Sequence, residues 1–236
     1  MRENPLPLRS PILNQRLVYF AALCSLSLGL QNANALVVGG AVPDRATLNS
    51  ILAGYGPVTE TFEAIPFPAV GQVIPPVLNN AASVYGFGSG LVVPGITFLD
   101  PTLTQLQWNG GGYYGQPSND LNSNTSTLEI DFSHPARAFG LDMTVFAGFG
   151  DNANVNVYAV DNLTLLASFS GIPVNDPSSP VFFGYQDPGG IGKVEIQGAS
   201  RGWSPMIDNV TFAPVPEPSA MALAALGLVA LARRSR

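Results

Sequence analysis

The chain has 236 residues, a formal net charge of −6 and one cysteine, and 46% of its residues are hydrophobic. Residues 36–216 carry fourteen acidic and four basic side chains, a net charge of about −10, which favours neither nucleic acid nor anionic membrane surfaces as partners. Cations, neutral glycans and basic surfaces suit this charge better. A single cysteine excludes an intrachain disulfide and a zinc site built from several thiolates.

The first segment, residues 1–35, predicts a secretory signal peptide. Three arginines precede an apolar run at residues 17–30, and Ala33-Asn34-Ala35 is a small-x-small cleavage site. The run is short for an uncleaved anchor and no polar stop follows it, so we expect a signal helix that is cleaved after Ala35. Cys24 lies inside this leader, and the exported protein is therefore expected to have no thiol.

Residues 36–60 predict a short helical lead-in. Asp44 is a suitable N-cap for a helix over residues 45–53, because its side chain can accept a hydrogen bond from a backbone N–H of the first turn. Leu48, Ile51 and Leu52 share one face of that helix, and Gly54 is placed to end it.

Residues 61–213 predict one all-β domain, because apolar and polar residues alternate with a period of two and no long helical pattern occurs. Clear alternation is found at residues 128–132, 139–145, 155–157, 165–169, 181–185, 193–196 and 210–212. Weaker strand candidates are residues 62–63, 83–87, 95–98 and 104–108, whereas residues 109–112, 117–120 and 122–124 have the composition of loops. Short strands separated by such residues predict an antiparallel two-sheet sandwich with a jelly-roll-like topology.

The last segment, residues 214–236, has three parts. We expect Pro216-Glu217-Pro218 to be an extended peptide, because each proline disfavours helix. The uncharged run from Ser219 to Ala232 has 14 residues, and a helix there would be about 21 Å long, short of the roughly 30 Å hydrocarbon core. We therefore expect a short hydrophobic helix that is processed rather than a permanent anchor. A positively charged stop closes the chain at Arg233, Arg234 and Arg236.

This tail closely resembles the PEP-CTERM sorting signal of Gram-negative bacteria. The resemblance implies that an exosortase, a membrane cysteine transpeptidase, recognises Pro216-Glu217-Pro218 and removes the hydrophobic tail. It also implies transient insertion of the tail in the inner membrane, a mature form at the cell surface or outside the cell, and a host that makes extracellular polysaccharide. Three segments of the body are similar to the usual body of such proteins and to jelly-roll carbohydrate-binding modules: residues 61–63, 134–142 and 207–212.

The sequence predicts no catalytic residue. A serine triad needs a histidine base, and the only histidine, His134, precedes Pro135 where we expect a turn at the end of a strand. Acids are plentiful, so a secreted glycosidase that uses paired carboxylates is the alternative function. Its candidates, Glu129, Asp131 and Asp142, lie on the polar side of alternating strands, where we expect them to face solvent.

Four aromatic residues are candidates for stacking on a sugar ring: Trp108, Tyr113, Tyr114 and Trp203. Three of the four lie in or beside Gly-rich segments, where a flat ring can be exposed. The alternative is that these rings fold back over the end of the sandwich. We favour an exported, non-catalytic protein that binds or organises polysaccharide over a secreted carbohydrate-active enzyme.

The resemblance to carbohydrate-binding modules also implies a structural calcium ion held by Glu63 and Asp208. Calcium prefers six to eight hard oxygen ligands, and a domain with a net charge of about −10 would gain from one. The alternative is that Asp208 accepts hydrogen bonds from neighbouring turn amides, as Asp before Asn often does. No other cofactor is predicted.

Overall fold

The computed structural model describes residues 39–200 and 202–215. The predicted signal peptide and the sorting tail from Pro216 onward lie outside these residues. No helix in the described part is long and apolar enough to span a bilayer. The helix and strands are, in chain order, β1 (Gly40–Ala41), α1 (Arg45–Leu52), β2 (Val58–Glu60), β3 (Gly71–Ile74), β4 (Val77–Asn79), β5 (Ile96–Leu99), β6 (Leu106–Asn109), β7 (Asp120–Ser123), β8 (Thr127–Thr144), β9 (Asp151–Ala159), β10 (Leu165–Val174), β11 (Val181–Gly198) and β12 (Met206–Pro214).

The strands form two antiparallel layers that share the two longest strands, β8 and β11. In the first layer, the start of β8 pairs with β5 and with the end of β11, and β4, β9 and β10 extend the layer outward. In the second layer, the end of β8 pairs with β12 and with the start of β11, and β7, β6 and β3 continue it. The short strands β1 and β2 pair with β11 and β12. The predicted antiparallel β-sandwich is confirmed.

The register of β8 and β11 is irregular where these strands pass from one layer to the other. The partners of β8 run to Phe132 and resume at Ala136, and those of β11 shift between Gln186 and Lys193. His134 and Pro135 lie in this irregular part of β8, so the prediction that they end a strand was wrong. Proline is tolerated there because the missing N–H is not needed by a regular ladder.

The main core lies between the layers and contains one hydrophobic cluster. Its largest fully buried side chains include Phe62, Phe98, Trp108 and Phe139. Phe62 was predicted to lie on a strand, but it follows β2 in a turn with φ of 56°. This turn directs its ring against Phe98 and Trp108, with ring centroids 5.1 and 5.7 Å away.

The helix α1 packs on the outside of the second layer, as a second small core. Asp44 caps it as predicted, because its Oδ1 accepts a hydrogen bond from Thr47 N at 2.7 Å. Gly140 leaves room for the helix, since a Cβ atom there would lie 2.7 Å from Leu48 Cδ2. The buried apolar residues of this second core are Val42, Leu48, Leu52, Ala138 and Ala213.

The strand β7 corrects the prediction that residues 117–120 and 122–124 are loops. All four residues from Asp120 to Ser123 are buried, although three of them are polar. Asn109 on the neighbouring strand β6 satisfies two of them, because its Nδ2 donates to Asp120 Oδ1 at 2.6 Å and to Asn122 Oδ1 at 3.0 Å. Such cross-strand hydrogen bonds let a polar segment form a buried strand.

Candidate functional site

An open cleft of about 310 Å³ lies at one end of the sandwich, and we call it the aromatic cleft. Three connections between strands supply its rings. The connection from β6 to β7 carries two tyrosines, the turn after β8 carries two phenylalanines, and the connection from β11 to β12 carries a tryptophan. The described residues that line the cleft are Gln107, Tyr113, Tyr114, Asn122, Asn124, Phe146, Phe149 and Trp203.

The rings of the aromatic cleft contact one another in a row. The centroids of Tyr113 and Tyr114 are 4.0 Å apart, and Tyr114 lies 4.2 Å from Phe146. Phe146 in turn lies 5.5 Å from Trp203, with the two planes at 62°. Tilted and edge-on arrangements of this kind are favoured by the ring quadrupoles, so each ring restrains the next.

Backbone geometry explains why the two tyrosines project into the cleft. They lie on a 3-10 turn, Tyr113–Gly115, and Tyr114 has a left-handed φ of 51°. The flanking Gly112 and Gly115 have φ of 90° and 89°, values that a residue without Cβ adopts readily. Ala147 N donates to Tyr114 O at 3.1 Å, which fastens the turn to the β8–β9 connection.

The rings are accessible to a ligand in part. Tyr114 is 47% exposed and Phe149 is 46% exposed, whereas Tyr113 and Trp203 are half-buried. An exposed aromatic row can stack on the apolar face of a sugar ring while the surrounding polar groups bind its hydroxyls. The sequence therefore predicted three of these cleft residues, Tyr113, Tyr114 and Trp203, and the structure brings them together.

The polar groups of the aromatic cleft are amides and hydroxyls, and none of its described lining residues carries a charge at neutral pH. Gln107 Nε2 donates to Asn109 Oδ1 at 2.7 Å, which holds that amide in place beside the rings. A hydrogen bond with Tyr114, together with burial, raises the pKa of Tyr113 above its ordinary value. The Gln107 amide and the Tyr113 hydroxyl therefore present neutral donors and acceptors.

Trp108, the fourth predicted stacking residue, does not belong to this cleft. Its side chain is 0% exposed and its Nε1 donates to Phe62 O at 3.1 Å inside the core. Phe62 and Phe67 contact its ring edge-on. Trp108 lies on the same face of β6 as the buried Leu106, so its ring has no free surface and the prediction of glycan stacking is corrected for this residue.

Sequence reasoning missed Phe146 and Phe149. Both lie in a short segment with Gly148 and Gly150, the same combination of aromatic residues and glycines that identified Tyr113 and Tyr114. Local composition therefore carries a signal for Phe146 and Phe149, which follow directly after the strand alternation that ends at residue 145.

The two residues predicted to hold calcium are both engaged by neighbouring protein groups. Glu63 is exposed, and its Oε1 accepts a hydrogen bond from Asn119 N at 2.8 Å. Asp208 Oδ2 accepts from Ser118 Oγ at 2.7 Å, and its Oδ1 accepts from Asn209 N at 2.6 Å, the turn interaction expected as the alternative. Burial, with smaller contributions from the charges of Asp142 and Glu63, raises the pKa of Asp208 to about 6.

Within the described residues, no three His, Cys, Asp or Glu side chains form a group that could hold a metal ion. A cation beside Asp208 would therefore need neutral oxygen ligands as well. Two unpartnered buried oxygens, Asp120 Oδ2 and Gln116 Oε1, belong to residues that line the same small cavity as Asp208. Hard oxygen atoms of this kind suit calcium.

The acids proposed for a glycosidase are not arranged as a facing pair. Lys193 Nζ lies 2.7 Å from Glu195 Oε1 and 3.8 Å from Glu129 Oε1, so a cation connects these carboxylates. Glu129 and Asp131 are half-buried, which corrects the expectation that both face solvent, and this burial raises the pKa of each. Asp142 lies apart from them and pairs with Arg45 at 2.9 Å.

Fold and tail together define an exported protein with a β-sandwich body. The profile of the PEP-CTERM protein-sorting motif matches residues 214–236, so the chain carries this motif, which marks it for export and exosortase-dependent sorting to the cell surface. Comparison with curated proteins gives no match.

Solved structures show distant likenesses to the chain. The K2 cleaved adhesin domain of Lys-gingipain has 14% identity and a TM-score of 0.32, covering 67% of this chain and 99% of that one. A family 29 carbohydrate-binding module complexed with mannohexaose has 12% identity and a TM-score of 0.28, covering 62% and 93%. The family 11 module from Clostridium thermocellum, in complex with a β-1,3-1,4-mixed-linked tetrasaccharide, has 12% identity and a TM-score of 0.28, covering 68% and 98%.

Proposed function

We propose that the protein is an exported, non-catalytic surface or matrix protein that binds extracellular polysaccharide in the aromatic cleft. The single observation that supports this function most is the row of rings from Tyr113 to Trp203, open to solvent and bordered by amides. Flat apolar rings next to amide groups match the two kinds of surface that a sugar presents.

The charge of the molecule narrows the class of polysaccharide. The described lining of the aromatic cleft is neutral, while residues 36–216 carry a net charge of about −10. This negative charge would repel an acidic polysaccharide, and the described lining residues include no cationic side chain that could pair with its acidic groups. We therefore expect neutral glycans to bind more tightly than acidic ones.

The sorting motif supports the second part of the proposal, which concerns the route to the surface. The apolar run of 14 residues with three arginines behind it suits a brief stay in the inner membrane, with the arginines on the cytoplasmic side. An exosortase then removes this tail, and the sandwich with its cleft is left outside the inner membrane.

Binding is tested by tryptophan fluorescence on the purified full-length protein. The chain has two tryptophans, and Trp108 is buried, so a change in emission on adding polysaccharide reports on Trp203. We expect the emission to shift with each of three neutral probes, namely the host's own neutral polysaccharide, mannan and mixed-linkage β-glucan. With the acidic polysaccharide alginate the shift should be smaller. Trp203→Phe should remove the shift.

Affinity measurements with matched variants complete the test. Trp203→Ala and Tyr114→Ala should each weaken binding about tenfold, or about 1.4 kcal/mol. Phe87→Ala is the control, because Phe87 is an exposed aromatic residue outside the cleft. Equal affinities of all three variants would contradict binding in the cleft, and release of reducing sugar by the wild type would favour the glycosidase instead.

A further inference from the structure

A second, smaller cavity of about 80 Å³ lies against the second layer, and we call it the acidic cavity. Its lining comes from the segment that leads into β7, from β8 and from β12. Prolines 177 and 180 cover another side. The polar residues that line it are Gln116, Ser118, Asp120, Asp142, Thr144, Asp208 and Asn209.

Two buried oxygen atoms in this lining accept no hydrogen bond from the described residues. They are Asp120 Oδ2 and Gln116 Oε1, on residues that are only 2% and 4% exposed. The other oxygen of Asp120 accepts from Asn109 Nδ2, and the nitrogen of Gln116 contacts Met206 Sδ at 2.9 Å. A thioether sulfur can accept a hydrogen bond but cannot donate one. The Gln116 amide therefore turns its nitrogen toward the sulfur and its oxygen elsewhere. Buried acceptors are normally satisfied, so these two point to a missing partner.

Carboxylates of neighbouring strands meet in this cavity, so a cation suits the missing partner. The register that pairs Leu121 with Ile207 sets Asp120 on β7 opposite Asp208 on β12, and Asp208 is paired in turn with Asp142 on β8. Arg45 Nη2 lies 2.9 Å from Asp142 Oδ1, and Asn209 Nδ2 donates to Asp142 Oδ2 at 3.0 Å. The cation of Arg45 therefore satisfies Asp142 and leaves Asp120 with no ion pair among the described residues.

We propose that the acidic cavity binds one calcium ion through the carboxylates of Asp120 and Asp208 and the amide oxygen of Gln116, with water completing the ligands. Two carboxylates with neutral oxygens make a hard, all-oxygen set of the kind that calcium takes in flexible geometry, whereas magnesium demands a near-ideal octahedron. The cavity volume leaves room for an ion and water. This site differs from the expected pair, because Glu63 does not line the cavity and its place is taken by Asp120 and Gln116.

The position of the acidic cavity links it to the aromatic cleft. Gln116 directly follows the Tyr113–Gly115 turn, and Asp120 begins β7 four residues later. An ion that ties both residues to Asp208 on β12 would hold the connection that carries Tyr113 and Tyr114. This consequence rests on the proposed function, whereas ion binding itself does not.

The site is tested by thermal unfolding of the purified full-length protein in calcium and in EDTA, with bound calcium measured after equilibrium dialysis. We expect one calcium per chain and a rise in Tm of roughly 5–10 °C at 100 times the dissociation constant. Asp120→Asn and Asp208→Asn should lose this rise. Asp161→Asn, the same change at an exposed turn between β9 and β10, should keep it.

Asp120→Asn also separates loss of a ligand from loss of the fold. The amide keeps an acceptor for Asn109 and removes a buried charge, so in EDTA this variant should melt no lower than the wild type. Equal melting of the wild type in calcium and EDTA, without bound calcium, would overturn the proposal. An undiminished calcium response in Asp120→Asn, or an equal response to magnesium, would overturn it as well.

Discussion

Two neighbouring glycines show how differently single residues are constrained in the connection that carries the tyrosines. A Cβ atom at Gly110 would overlap the backbone carbonyl of Pro68, because the carbonyl carbon would be only 2.8 Å away. Backbone atoms cannot move aside easily. At Gly111 the nearest atoms would be 3.5 Å away, an ordinary contact. Gly110 thus permits a close approach of two backbone segments. The composition of residues 109–112 predicts a loop but not this close approach.

Gly110→Ala should therefore destabilise the protein by about 1–3 kcal/mol, as overpacking typically does. Gly111→Ala is the matched control and should change the free energy of unfolding far less. Thermal unfolding of both variants checks this, with an expected loss of roughly 2–4 °C in Tm per kcal/mol. Equal melting of the two variants would show that the Pro68 contact is not restrictive.

Asp100 is a buried carboxylate that organises the segment between β5 and β6. It accepts hydrogen bonds from Thr102 N at 2.9 Å, from Gln105 N at 3.0 Å and from the hydroxyl of Thr104. Burial raises its pKa, but these hydrogen bonds outweigh burial and hold the pKa of Asp100 well below its ordinary value. The ionised form is thus the one that the fold stabilises.

The sign of the pH dependence follows from this lowered pKa. The stabilisation by Asp100 is fully present above the pKa of an unfolded Asp, about 3.9, and is lost as the pH falls toward the folded-state value. Asp100→Asn should lower the free energy of unfolding at pH 7 by about 1.5 kcal/mol or more, because an amide N–H replaces an acceptor. Urea unfolding at pH 7 and pH 3 should show a smaller acid-induced loss in the variant than in the wild type. Parallel losses would refute this role.

The helix α1 is the element whose packing was most fully anticipated. Spacing predicts that Leu48, Ile51 and Leu52 share one face. Leu48 and Leu52 are buried against small residues of β8 and β12, and Ile51 is partly buried there. Leu48→Ala should lower the free energy of unfolding by about 2–5 kcal/mol, since it leaves a cavity above Gly140. Ser50→Ala, on the exposed face of the same helix, is the control and should have little effect in chemical denaturation. Since alanine is the best helix former, both changes raise helix propensity, and similar losses in the two variants would contradict the role of Leu48 burial.

Strands were predictable where one face is apolar and the other polar. Leu128, Ile130 and Phe132 are buried, and the intervening Glu129 and Asp131 lie on the opposite face of β8. The strand β7 was not predictable in this way, because its polar residues are buried by hydrogen bonds to Asn109, a partner eleven residues from Asp120. Pairing of this kind depends on register, which a single segment does not encode.

The candidate site was predictable only in part, because three distant connections assemble it. Local composition identified Tyr113, Tyr114 and Trp203, since aromatic residues near glycines are exposed often. Local composition could not reveal that β8 and β11 each span 18 residues and pass from one layer into the other. These long strands bring Phe146 and Trp203 to the same end of the sandwich, whereas Trp108 is buried against Phe62 and Phe67.

At the scale of the whole molecule, the sorting motif separates the fate of the tail from the fold of the body. The described body ends at Val215, one residue before Pro216-Glu217-Pro218, and Val215 N still donates to Pro135 O at 2.7 Å. Within the part of the chain that the structure describes, the hydrogen bonds of the sandwich thus extend to the residue before the Pro-Glu-Pro sequence. Cleavage beyond this point would leave every described strand intact.

We therefore expect the exported protein to begin at Leu36 and to lack residues 220–236 when its host has an exosortase. Intact-mass analysis of surface or secreted material measures both ends at once. In a strain without the exosortase, or in Glu217→Ala, the tail should be retained in the membrane fraction, because the apolar run of 14 residues and its arginines remain.

Ser235→Ala is the control, because it preserves the motif, the apolar run and all three arginines, and it should be processed as the wild type is. A full tail on the exported wild type would contradict sorting through this motif, and equal processing of Glu217→Ala would show that cleavage does not depend on the acidic residue between the two prolines.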